Sequence, residues 1–257
     1  MLAPMVLCLK AWKSRSLPGF HFMDNFTIVV PVFNECKNIE FLCNEILDSL
    51  IDCPVIYEVI FVNDGSIDDT DKKLEKIINL NKDIRLISHN KNIGQSSAIL
   101  TGVKNANYNT VVTIDGDRQN IPKDIIKLLK IFFSSEDIKL VSGIRINRRD
   151  NIIKILTSKI ANFVRASILK DKCPDTGCGL KVFSKKIFLQ IPFFNGIHRF
   201  LPALFRGFGY NVSYVEVGHR KRVEGKTKYG TLDRLFKGII DIIRVKTIIN
   251  KINKYDK

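Results

Sequence analysis

Two carboxylates and an amide at alternate positions, Asp115, Asp117 and Gln119, stand directly behind the apolar run Thr110–Ile114. Oxygen donors spaced this way at a strand end can converge on one hard divalent cation, Mg2+ or Mn2+, which in turn can hold two phosphates. A polar turn uses the same residue types, so the motif gains weight only in company. That company is present: Pro31-Val32-Phe33-Asn34-Glu35 follows one β-branched run and Val62-Asn63-Asp64-Gly65-Ser66 another. Each sets a carboxylate where it could accept hydrogen bonds from a nucleobase N–H or from ribose hydroxyls. A turn with a helix cap at Ser66 or Asp68 accounts for the second run equally well. Cationic candidates lie farther along: Arg145, and a loop with Arg220, Lys221, Arg222, Lys226 and Lys228 between strand and closing helix. Guanidinium groups suit bidentate phosphate capture, and Gly225 and Gly230 bracket the loop with hinges.

Placing these groups on one edge requires a particular scaffold. Strand-like runs occur at Thr27–Phe33, Glu58–Val62, Ile84–Ser88, Thr110–Ile114 and Ile138–Ser142, and helix-like stretches at Asn38–Leu50, Asp69–Leu80, Gln95–Asn105 and Lys123–Phe133. The alternation predicts an α/β domain with right-handed crossovers and a mostly parallel central sheet covered by helices. Ligands bind such sheets at the carboxyl ends of the strands, where the three acidic turns fall. Beyond Gly143 the rhythm changes. A basic loop with Arg148 and Arg149 precedes an amphipathic helix over about 152–168, then a Cys173–Gly179 turn and a strand at Leu180–Phe183. A helix at Ile197–Gly207, a strand at Asn211–Val217 and a closing amphipathic helix at about Leu232–Asn250 complete the chain.

Length and charge bound the answer. The 257 residues suffice for one large domain, and a net charge of +15 points to an anionic partner. The last 40 positions alone carry 12 Lys/Arg against 4 Asp/Glu. No apolar run reaches the ~18 residues of a membrane span. Six cysteines match neither a disulfide scaffold nor a four-ligand zinc pattern, and are read as reduced thiols of a cytoplasmic protein. The division expected is a tail over 1–22, a catalytic domain over 23–230 and a basic amphipathic helix over 231–257.

Taken in order, PVFNE, VNDGSIDDT, Asn92-Ile93-Gly94 with Gly102, and DGDRQ resemble an inverting family-2 glycosyltransferase of the GT-A fold. The later DTGCGLKVF, HRFLP and EGKTKYG are similar to the polyprenyl-phosphate branch that includes dolichyl-phosphate mannosyltransferase. The resemblance covers about Phe26 to Arg244. It implies that Pro31, Phe33, Glu35, Asp64 and Gly65 line the nucleotide site, with Asp64 reading the base. It implies that Asp115 contacts the ribose or metal region, and that Asp117 and Gln119 ligate Mg2+ or Mn2+. Arg145 would then lie near the acceptor phosphate, and Arg220 or Arg222 with Lys226 and Lys228 would close over the diphosphate. Three positions depart from the family pattern: Phe33 stands for a more usual Tyr, Asn63 for Asp, and Arg118 for a small or apolar residue.

The activity implied is transfer of a hexose, with inversion, from GDP-mannose, UDP-glucose or UDP-N-acetylglucosamine to a polyprenyl phosphate. A lipid monophosphate is already anionic near neutral pH, because its second pKa is about 6, so it needs cations rather than a base. The acceptor implies membrane contact at the cytosolic face. Leu232, Leu235, Phe236, Ile239, Ile240 and Ile243 on one face of the closing helix, ringed by Arg234, Lys237, Arg244 and Lys246, suit a helix lying in that interface or packing on its own domain. An integral membrane partner protein is compatible with this reading. Two alternatives stay open at this point: a non-processive transferase acting on a sugar hydroxyl, and a basic nucleotide- or nucleic-acid-binding module. The second is disfavoured by the acidic sheet edge and the single aromatic, Tyr229, of the basic loop, so no nucleic-acid partner is expected.

Overall fold

Every residue of Phe26–Val32 (β1), a β-branched FTIVVPV run, is buried, as expected of a strand covered on both faces. The structure, a computed structural model, describes residues 23–146, 165–221 and 231–255. Tyr57–Asn63 (β2), Ile84–Ser88 (β3) and Thr110–Thr113 (β4) join β1 in parallel. Three helices connect them: Ile39–Ser49 (α1), Thr70–Leu80 (α2) and Gln95–Asn105 (α3). Ile125–Phe132 (α4) leads to Ile138–Arg145 (β5). Lys181–Ser184 (β6) runs antiparallel between β4 and β5, and Asn211–Val217 (β7) pairs in parallel with β5. The strand order is β3-β2-β1-β4-β6-β5-β7, a seven-stranded and mostly parallel sheet.

Two apolar clusters cover the two faces. Ile39, Leu42, Cys43 and Ile46 of α1 recur at helical spacing and pack with Leu74 of α2 and Leu128 and Leu129 of α4 against one face. Against the other lie Ala98, Ile99 and Val103 of α3, Lys185–Phe188 (α5), Leu201–Gly207 (α6) and Thr231–Tyr255 (α7). Gly102 brings α3 down onto β1. A Cβ there would stand 2.3 Å from a Val29 methyl, so only glycine permits this approach.

Most element boundaries agree with the sequence reading to within one or two residues, and the differences have local causes. The fifth strand continues past Ser142 to Arg145, because β7 supplies parallel partners along that length. Pro122 opens a 3-10 turn, Pro122–Asp124, ahead of α4. The segment read as one helix over Ile197–Gly207 is a 3-10 turn, Ile197–Arg199, followed by α6 with Pro202 in its first turn. α5 was not foreseen, being a single turn directly after β6. Of the helix expected over 152–168, only 165–168 falls among the described residues, and the helix seen there runs over 165–169. The five described cysteines form no disulfide among the described residues.

α7 docks on the domain through buried Val245 and Ile249, while Asp241, also buried, pairs with Arg199 at 2.8 Å. Its opposite side leaves Ile239, Ile240 and Ile243 at least half exposed. Among the described residues no helix is long and apolar enough to cross a membrane.

Candidate active site

The carboxyl ends of β1, β2 and β4 open on one rim, and register explains why. Val32 pairs with Asn63, so the turns after β1 and β2 lie side by side. They are laced together: Asn34 N–H donates to Ser66 Oγ at 2.9 Å, Ile67 N–H to Asn34 Oδ1 at 2.9 Å, and Glu35 N–H to Thr70 Oγ1 at 3.0 Å. Gly116 folds the third turn back over them, its ideal Cβ position 3.0 Å from Pro31 O and 2.7 Å from a Val32 methyl. Pro31 and Val32 therefore border the turn that carries Asp115 and Asp117, and Phe33 follows them in the chain.

Asp64 is buried and its carboxylate is fully engaged. It accepts from His89 Nδ1 at 2.9 Å, Asn92 Nδ2 at 2.9 Å, Ile93 N–H at 3.1 Å and Gly94 N–H at 2.8 Å. Four donors account for the two oxygens of a carboxylate. Gly65 adopts φ 69°, and a Cβ there would meet the Lys91 backbone at 2.3 Å. Asp64 and Gly65 thus bind the second turn to the segment before α3. Glu35 is also buried and accepts from Asn38 Nδ2 at 2.7 Å at the start of α1.

The next residue along α3 reaches the cation motif: Gln95 Nε2 donates to Asp115 Oδ1 at 2.8 Å. Asp64 and Asp115 are therefore held by consecutive residues, Gly94 and Gln95, of one helix start. Asp115 packs so tightly on Gly179 that a Cβ there would fall 2.1 Å from its Oδ2. Burial, and next the charge of Asp117, push the Asp115 carboxyl up to about 6, against the opposing pull of Lys181 and Arg145. Asp117 Oδ1 accepts from Gln119 N–H at 3.1 Å. Gln119 Nε2 approaches Arg220 O at 3.3 Å and His219 Nε2 at 3.4 Å, and Oε1, the atom a cation would use, takes no part in these bonds.

Arg145, at the end of β5, is oriented by Asp175. Its Nε and Nη2 donate to the two carboxylate oxygens at 2.7 and 2.8 Å, leaving the Nη1 side of the fork outside that pair. Although desolvation opposes its charge, the bonds and charge of Asp175 raise the Arg145 pKa overall, and Asp115 adds to this. Arg220 Nη1 lies 2.9 and 2.8 Å from the two oxygens of Glu45. Arg222, Lys226 and Lys228 lie outside the described residues, as do Arg148, Arg149 and the tail over 1–22.

Several contributors take no role in the sequence reading, although Asp175 and Lys181 fall within DTGCGLKVF and His198 opens HRFLP. Gln95 and Asp175 act through contacts between residues far apart in sequence. Lys181, a buried cation donating to Cys178 O, sits inside an apolar strand. Ser96, buried, accepts from Gly196 N–H at 2.8 Å and lies 2.7 Å from His198 Nδ1. Desolvation holds the His198 pKa at about 3, so the ring is neutral.

Among the described residues no three His, Cys, Asp or Glu side chains gather as a metal cage. The donor set still fits a magnesium-like ion, which takes one or two carboxylates and completes its shell with water and substrate phosphates. The raised Asp115 carboxyl is consistent with this: two acids share a pocket whose charge a divalent ion would balance.

Residues 27–191 match the family model described as "Glycosyl transferase family 2". The chain belongs to that family. Among curated family relatives, the dodecaprenyl-phosphate galacturonate synthase of Rhizobium johnstonii is 31% identical over 223 residues, covering 85% of this chain and 65% of that protein. The undecaprenyl-phosphate 4-deoxy-4-formamido-L-arabinose transferase of Proteus mirabilis is 30% identical, covering 83% of this chain and 65% of its own length. The chain thus spans about 65% of these family 2 relatives. Glucosyl-3-phosphoglycerate synthase of Mycobacterium tuberculosis superposes with a TM-score of 0.66 at 19% identity, over 88% of this chain and 79% of that one. The same enzyme solved with Mn2+, UDP and glucosyl-3-phosphoglycerate gives 0.63 at 18% identity, over 86% and 78%. The GT-A fold expected from the motifs is the fold observed.

Proposed function

We propose that this chain transfers a sugar from a nucleotide diphosphate sugar to a polyprenyl phosphate at the cytosolic membrane face, with inversion at the anomeric carbon. The observation that carries the reading is the convergence of Asp115, Asp117 and Gln119 with the turns of Pro31–Glu35 and Asp64–Ser66 on one strand-end rim. The two relatives named for dodecaprenyl- and undecaprenyl-phosphate products support the acceptor class. The neighbour solved with Mn2+ and UDP supports a divalent ion and a nucleoside diphosphate. The relatives' names, galacturonate and a formamido-arabinose, lie outside the mannose, glucose and N-acetylglucosamine donors expected above, so the proposal commits to a sugar and not to which one.

In this reading the nucleoside lies over Pro31 and Phe33. Asp64 and Glu35 act beneath it, shaping the floor through the bonds described. Asp117 and Gln119 would hold Mg2+ or Mn2+, with Asp115 at its edge; the ion, when bound, supplies the positive charge that stabilises the departing diphosphate. Arg145, held by Asp175, presents its remaining fork edge to the acceptor phosphate. Arg220 stands at the diphosphate side with Arg222, Lys226 and Lys228 next along the chain. The acceptor needs no base, since it arrives as an anion. The exposed isoleucines of α7 and its basic residues serve membrane contact.

The test is incubation of purified protein with Mn2+, undecaprenyl phosphate and labelled GDP- or UDP-sugars. A lipid-linked product is expected, lost in Asp117→Ala together with the Mn2+-dependent melting shift produced by UDP or GDP. Retention of that shift in the variant would place the cation elsewhere.

A further inference from the structure

Glu45, on α1, touches two arginines about a hundred residues apart in sequence. Its Oε1 accepts from Arg118 Nη2 at 3.0 Å, and Arg220 Nη1 lies 2.9 and 2.8 Å from its two oxygens. Arg118 lies in sequence between Asp117 and Gln119. Its φ is 62°, a conformation that non-glycine residues rarely adopt unless their surroundings hold them there. The holding groups are visible. The Arg118 guanidinium lies over the Phe41 ring, 4.7 Å from its centroid, one helical turn before Glu45. Arg220 is tied to the same loop by its backbone, its N–H donating to Gln119 O at 2.9 Å, beside a bridge between Asn120 and His219.

An isolated surface ion pair would matter little. This cluster differs in three respects. One carboxylate serves two guanidinium groups, an aromatic face supports one of them, and the side chains of Arg118 and Glu45 are only 19% and 28% exposed. Burial pushes the Glu45 carboxyl up, yet the bonds and charges of Arg118 and Arg220 bring it down overall.

We infer that Glu45 is a positioning residue for the cation loop: by anchoring Arg118 in its left-handed conformation it sets the spacing of Asp117 and Gln119, and by holding Arg220 it joins that loop to the C-terminal basic segment. The inference rests on Asp117 and Gln119 being the cation ligands. Glu45 itself touches neither ion nor substrate.

Mn2+ binding followed by electron paramagnetic resonance, with saturating UDP or GDP and the full chain, tests it independently of turnover. Glu45→Gln should weaken Mn2+ by about tenfold, the scale of a lost outer-shell partner, with the metal-free melting temperature little changed. Arg118→Gln, its metal-free melting temperature measured alongside, should do the same. The double variant should bind no more weakly than the worse single one, since the pair acts as one unit. Wild-type-like Mn2+ affinity in Glu45→Gln and Arg118→Gln, with binding lost in Asp117→Ala, overturns the inference and leaves the cation reading intact. Multiplying losses in the double variant overturn it too. Equal binding by wild type and Asp117→Ala instead removes the cation reading, and this inference with it.

Discussion

Single atoms decide much at this rim. Asn63 stands where the family pattern has Asp, and its surroundings explain the amide. Nδ2 donates to Asp71 Oδ1 at 2.8 Å, while Oδ1 accepts from Ser66 N–H and Oγ. An aspartate could accept but not donate, and would set two carboxylates face to face. Asn63→Asp should therefore lower stability by about 2 kcal/mol at pH 7. The like charge raises the new acid's native pKa above the ~3.9 of the unfolded chain, so the loss should shrink as pH falls through that raised value and be gone below about 4; urea melts at pH 7 and below pH 4 measure it. Gly179 is the second such position. Gly179→Ala places a methyl on Asp115 Oδ2, and overpacking of this kind costs about 1–3 kcal/mol. The melting temperature should fall and the Mn2+-dependent nucleotide shift should vanish. A normal shift in that variant would mean that Asp115 can move aside without harm.

Elements bring together what sequence spacing cannot. Alternating β-branched and amphipathic runs make the layered sheet legible in the sequence, and polar turns after strands mark its rim. Glu45 and Arg118, 73 residues apart, or Gln95 and Asp115, 20 apart, gave no such sign, because their pairing depends on helix rotation over the sheet. The start of α3 shows this most fully, since Gly94, Gln95 and Ser96 serve Asp64, Asp115 and His198 in turn. Ser96→Ala would strip a partner from Gly196 N–H and His198 Nδ1, a loss of about 1–3 kcal/mol by calorimetry. The histidine also has a pH consequence. Its native pKa is depressed to about 3, whereas the unfolded chain takes up that proton near 6.5. Its contribution is therefore complete above ~6.5 and is lost progressively as pH falls toward 3. The NMR signals of His198 should stay those of a neutral ring between pH 5 and 8. Titration near 6.5 would show that the ring is hydrated.

The whole molecule is strongly basic, and its charge is uneven. Acidic side chains gather at the strand-end rim and basic ones in the C-terminal segment, while α7 turns Ile239, Ile240 and Ile243 outward beside Arg244. Basic side chains near an anionic surface contribute about 1 kcal/mol each. Co-sedimentation with phosphatidylglycerol vesicles is expected, weaker with phosphatidylcholine and abolished by Ile240→Glu with Ile243→Glu. Equal sedimentation of that variant would assign membrane contact to another surface.

The reversed strand β6 has a consequence for how the chain is made. β4 is complete once Thr113 leaves the ribosome, but its antiparallel neighbour begins at Lys181. At ~5–20 residues per second, the nascent protein carries four assembled strands with one raw, apolar edge for roughly 3–14 s. That interval is when a holdase chaperone, or crowding by a second nascent copy, would decide between a productive fold and a tangle.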